Sequence, residues 1–168
     1  MADANDCNKP SSEAPPVIDI AHIHPMLVHF PLALLPVGLL FQLAALLRGG
    51  SIFERSCPAA SGLSLLILAA LGAVAAAVFG DLAMDKAIEL GFSENRLETH
   101  EELGITSAVL LTALAAWNGW WFARDCRCPK LAWLTWATGL GVLFLILTTA
   151  WFGGELVYGL GVNVSRGG

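Results

Sequence analysis

Four long runs of this chain carry no formal charge: Pro25 to Leu47, Ser61 to Gly80, Leu103 to Ala123 and Leu131 to Gly154. The first is 23 residues long, and at about 1.5 Å rise per residue a helix of that length crosses a hydrocarbon core of about 30 Å. Only 14% of all residues are charged, against roughly 25% in soluble domains, and the mean hydropathy is +0.66. Water is not the main solvent of such a chain, which excludes a soluble enzyme and a disordered protein. A net charge of -5 with no basic stripe excludes nucleic acid as a partner, because nothing is present to neutralise phosphates.

The expected fold is all-α: an integral membrane four-helix bundle with spans at about 25–47, 61–80, 103–123 and 131–154. The connections 48–60 and 124–130 are short, which favours antiparallel neighbours and an up-down-up-down order. Residues 81–102 read as a longer acidic connector, partly helical. Residues 1–19 read as a disordered polar tail without the basic start and apolar core of a signal peptide, leaving 20–168 as the transmembrane domain. Pro25 suits the first turn of a helix, and Pro31 and Pro36 predict a bend in the first span.

Orientation follows from the cations. The two short loops hold Arg48, Arg55, Arg124, Arg127 and Lys130 against Glu54 and Asp125, whereas the other side holds Lys9, Lys86, Arg96 and Arg166 against all remaining carboxylates. The positive-inside rule puts the short loops in the cytoplasm and both termini outside, in the inner membrane of a bacterium with two membranes. Trp117, Trp120, Trp121, Trp133 and Trp136 then anchor the cytoplasmic interface.

With this topology the start of span one, the end of span two, the start of span three and the end of span four converge at the outer face. All four histidines lie there by sequence: His22, His24 and His29 near span one, and His100 before span three. His29 sits about 6 Å inside the apolar run along a helix, and ionisable side chains at such depth face the bundle interior and mark a ligand or a path. An interhelical hydrogen bond is its alternative use. His24 precedes Pro25 and is expected on extended backbone at the helix N-cap, while His100 reads equally well as interfacial and His22, outside the span, reads as solvated rather than as a ligand. Asp81 closes the second span and Glu155 follows the fourth, each a candidate metal ligand or a solvated end.

Gly72, Ala76 and Gly80 form a small-residue stripe on span two. Such stripes let membrane helices approach closely, and close packing is preferred here over room for a flat cofactor. Cys126-Arg127-Cys128 and Cys57 fall in the two cytoplasmic loops, where a reducing compartment keeps thiols free, and they are expected to be incidental. No C-x-x-C-H for c-type haem is present, nor any Walker, Rossmann, G-x-S-x-G or H-E-x-x-H pattern. No nucleophile and base pair points to catalysis.

The string His24-Pro25-Met26-Leu27-Val28-His29-Phe30-Pro31 resembles the opening signature of a bacterial membrane-protein family, the domain-of-unknown-function 2231 family. Gly80-Asp81, His100 and the closing Trp151-Phe152-Gly153-Gly154-Glu155-Leu156-Val157-Tyr158 fit the same pattern. Members carry a histidine after the tyrosine in a string such as YxHGVGV, whereas this segment reads Tyr158-Gly159-Leu160-Gly161-Val162. The resemblance implies the fold. Similar domains fused to Rieske or cytochrome modules imply an electron-transfer setting by association.

Three functional expectations follow. The first is a small electron-transfer protein with b-type haem between spans one and three, His29 and His100 as axial ligands and His24 beside them. Its partners would be the bilayer, a periplasmic cytochrome, a Rieske-type protein or quinol. The second is a non-haem transition-metal site drawn from His24, His29, His100, Asp81 and Glu155. The third is a cofactor-free subunit or assembly factor of a respiratory complex. A homo-oligomer is compatible with the small-residue stripes.

Overall fold

The computed structural model describes residues 20–89, 91 and 94–161, all helical apart from turns and short loops. The N-terminal tail lies outside the described residues, as does the side chain of His22. Five helices follow in order: α1 (Ile20–Leu27), α2 (His29–Leu47), α3 (Cys57–Glu89), α4 (Glu94–Ala123) and α5 (Pro129–Leu160). Four stretches are long and apolar enough to cross a membrane: Ile23–Leu47, Cys57–Glu89, Leu97–Ala123 and Pro129–Gly159.

Two local features differ from expectation. The helix begins at Ile20, before Pro25, so Pro25 and His24 lie inside α1 rather than at its cap. The break comes at Val28, between α1 and α2. It has a steric cause, since the Pro31 ring meets the carbonyl four residues earlier, that of Leu27, and Pro31 offers it no N–H. Pro36 is carried within a continuous α2. The separate acidic connector is also absent among the described residues. Residues 81–89 extend α3 and 94–102 open α4, with Gly91 at φ 90° in the turn between them.

In the bundle α2 packs on α3 and α5, α3 on α4, α4 on α5, and α1 on α3. The shared core is built from Leu35 and Leu39 of α2, Leu66 with several alanines of α3, Leu111 and Leu114 of α4, and Val142 and Ile146 of α5. Many large apolar side chains point outward instead, among them Leu71, Val109, Leu134 and Phe144, the last 73% exposed. Small residues inside and bulky ones outside suit lipid, where helices associate through close packing rather than by escaping water. The stripe on α3 is used this way. A Cβ on Gly72 would lie 2.7 Å from the Phe30 Cβ, and one on Gly62 would lie 3.0 Å from the Gly38 carbonyl.

Several buried polar groups are paired across the bundle. Gln42 Nε2 donates to Asn118 Oδ1 at 3.3 Å, joining α2 to α4, and Asn118 Nδ2 donates to the Leu114 carbonyl at 2.8 Å. Trp136 Nε1 donates to the Leu39 carbonyl at 2.9 Å, tying α5 to α2. One end of the bundle is closed by the loop after α2, whose Ile52 and Phe53 are buried against Leu46 and Ala132.

Candidate functional site

The opposite end is open. A cavity of about 520 Å³ lies there, bordered by α1, the start of α2, the end of α3, the start of α4 and the end of α5. It persists because the fourth seam of the bundle is not closed: among the described residues the backbones of α1 and α5 do not approach each other. Pro25 and Val28 border it from one side of that seam, Val157 and Tyr158 from the other. Its walls are mainly apolar, with alanines of α3 and Ile146 of α5, and its polar groups are few: His24, His29, Asp81, His100, Glu101, Ser107 and Thr149.

His24 and His100 face each other across this space. Their ring centroids are 6.2 Å apart and their planes lie at 87°. Each ring is seated on a glycine of the next helix. A Cβ on Gly80 would fall 3.0 Å from the His24 ring, and one on Gly153 would fall 2.8 Å from the His100 ring. His24 Nδ1 lies 2.7 Å from the Ala76 carbonyl oxygen, and since that oxygen can only accept, Nδ1 carries the proton and Nε2 keeps its lone pair. His100 Nδ1 is buried without a hydrogen-bond partner among the described residues. Ser56 Oγ and Trp121 Nε1, toward the other end of the bundle, are the further buried side-chain atoms without a partner among the described residues.

Asp81, at the end of the apolar part of α3, meets Glu101 of α4 in a side-chain hydrogen bond. Glu101 was not a sequence candidate. It sits in the acidic string around His100, and nothing in that string distinguishes it from Glu98 or Glu102. On α4 below the pair, Ser107 Oγ and Thr149 Oγ1 of α5 are 3.2 Å apart.

The remaining candidates are placed differently from expectation. His29 borders the cavity but is exposed, and its Nδ1 turns back to the Pro25 carbonyl at 2.6 Å. The interruption at Val28 separates its helix from that of His24, so the histidine facing His100 is the one five residues earlier. Glu155 is exposed and outside the cavity lining. Among the described residues no group of three or more His, Cys, Asp or Glu side chains is arranged to hold a metal ion. The cysteines depart from expectation too: Cys126 and Cys128 are joined in a disulfide, and Cys57 is free and exposed.

No curated protein and no solved structure matches the chain. The family model described as "Predicted membrane protein (DUF2231)" matches residues 21–166, which span both histidine-bearing segments and all four candidate membrane spans. The chain belongs to that family.

Proposed function

We propose that this chain is a small membrane electron-transfer protein that holds a b-type haem in the open cavity, with His24 and His100 as its axial pair. The observation that carries this reading is the pair of facing imidazoles 6.2 Å apart. Two imidazoles from separate helices at one mainly apolar cavity are a donor set that would suit a haem iron, to which they would lend axial nitrogen donors. The cavity volume of about 520 Å³ falls in the range of about 300–1,000 Å³ usual for small-molecule and cofactor sites. His29, the ligand favoured by depth in the sequence, is replaced by His24.

The residues divide the work. The Ala76 carbonyl orients the His24 ring and raises its basicity as a ligand, as outer hydrogen bonds do for metal-bound histidine. Gly80 and Gly153 admit the two rings between helices. The apolar alanine walls limit water, which tunes redox potential. Asp81 and Glu101 place two carboxyls at the rim. Bound between the histidines, haem supplies one-electron chemistry. The cation distribution supports a bacterial inner membrane with the cavity facing outward, toward a periplasmic cytochrome, a Rieske-type protein or quinol in the bilayer.

A bare transition-metal ion is the second reading and the less supported, since among the described residues no group of three or more His, Cys, Asp or Glu side chains is arranged to hold one. It requires most of its donors from protein, whereas haem requires two. Protein purified in mild detergent from cells supplied with haem precursor separates the readings by its reduced-minus-oxidised visible spectrum and metal content. Sharp Soret and α bands with about one haem per chain are the expected result. Bound metal without bands would favour the bare ion, and a colourless, metal-free protein would overturn both.

A further inference from the structure

The closed end of the bundle carries a second chemical feature, independent of the cavity. Cys126 and Cys128 form a disulfide across the single residue Arg127. The two sulfurs sit in different surroundings. Cys126 packs against the buried cluster of Leu46, Ile52, Phe53 and Ala132. Cys128 is the N-cap of α5, a helix of 32 residues with Pro129 in its first turn. Arg124, Arg127 and Lys130 stand within four residues of both cysteines, so the helix N-terminus is what sets Cys128 apart. A recess of about 190 Å³ lined by Glu54, Arg55, Ser56, Asp125 and Arg127 runs beside the ring, so a partner can approach the residues flanking Cys126.

This disulfide is poorly suited to be a staple. In the chain-entropy account a cross-link stabilises by closing a loop in the unfolded chain, and the gain shrinks as the loop shortens. Here one residue separates the cysteines. The turn is already held by other bonds, since the Arg55 backbone N–H donates to Asp125 Oδ1 at 3.0 Å and Arg55 Nη2 donates to the Ala123 carbonyl at 3.4 Å. A helix N-terminus and neighbouring cations, by contrast, are the surroundings that favour a thiolate. We infer that Cys126 and Cys128 are a redox-active dithiol–disulfide couple that exchanges two electrons with a thiol or disulfide partner, Cys128 being the sulfur that forms the mixed disulfide.

In the dithiol form the Cys128 thiolate attacks a disulfide of the partner. One Cys128–partner S–S bond forms, the partner's S–S bond breaks, and one partner sulfur leaves as a thiolate. Cys126, having lost its proton to water, then attacks Cys128 Sγ. The intramolecular disulfide closes and the second partner sulfur leaves. The partner is reduced by two electrons and the chain is oxidised by two. The reverse sequence reduces the chain with a dithiol or with two thiols.

The test uses full-length protein in detergent carrying Cys7→Ser and Cys57→Ser, so that only this pair reacts. It is equilibrated with mixtures of reduced and oxidised glutathione, alkylated, and weighed intact. The pair is expected to pass from disulfide to dithiol within the range of mixtures. A disulfide that persists in reduced glutathione alone, or a dithiol that persists in oxidised glutathione alone, would overturn the inference. The assignment of roles is read from two further variants on the same background. Cys126→Ser is expected to accumulate a glutathione adduct at Cys128 at least about fivefold faster than Cys128→Ser does at Cys126, the ratio set by thiolate fraction. Equal rates would overturn it, and the titration stands as the test should either variant fail to fold.

Discussion

Gly153 and Gly154 are adjacent on α5, yet only the first has a neighbour. A Cβ on Gly153 would meet the His100 ring at 2.8 Å, while one on Gly154 meets nothing within 4 Å. Gly153→Val is therefore expected to displace the ring, lowering stability by about 1–3 kcal/mol, the usual cost of overpacking, and to reduce haem content. Gly154→Ala, which meets neither ring, is expected to gain up to about 1 kcal/mol of helix stability. Thermal unfolding in detergent with a haem titre on each variant checks both. Gln42→Leu leaves Asn118 Oδ1 without its donor and is expected to cost about 0.6 kcal/mol, with about 1.7 kcal/mol as the upper bound for such bonds between membrane helices. At this scale the sequence was legible in kind more than in detail. Gly80, Asp81, His24 and His100 stood out by their position at helix ends, and they do gather at one cavity. Which of His24 and His29 faces His100 depends on a helix that starts before Pro25 and breaks at Val28. Pro31 marks the break in residue type, whereas nothing in the residue types around Pro25 shows that the helix starts ahead of it.

The elements themselves follow from hydropathy, and their limits do not. Charge marks where lipid ends, so the spans were legible, but a helix continues past lipid into water when its backbone can. For that reason α3 and α4 consume almost all of the stretch expected as a connector. The loop after α2 is the other surprise. Its charges, Arg48, Glu54 and Arg55, drew attention away from Ile52 and Phe53, which are 1% and 0% exposed and seal the cysteine end. Phe53→Ala is expected to destabilise the protein by about 3 kcal/mol or more, as for other fully buried aromatics. A thermal shift no larger than that of an exposed Phe144→Ala control would show that the loop does not close the bundle.

The whole molecule is asymmetric along its axis: a closed, arginine-rich, tryptophan-flanked end and an open end with histidines and carboxyls. If the positive-inside rule sets its orientation, Cys57 faces the cytoplasm. In a Cys7→Ser background, a membrane-impermeant maleimide is expected to label Cys57 only after right-side-out spheroplasts are broken. Labelling of intact spheroplasts would invert the orientation. The asymmetry also places the cavity proposed for the haem and the Cys126–Cys128 pair at opposite ends, so each can be altered without touching the other. The measurement that bears most directly on the central claim is the reduced-minus-oxidised spectrum of three histidine variants purified side by side. His24→Ala and His100→Ala are each expected to lose the low-spin α band, while His29→Ala keeps it with haem content within about twofold of the parent. Retention of the band in His24→Ala, or its loss in His29→Ala, would contradict the assignment of His24 and His100 as the axial pair.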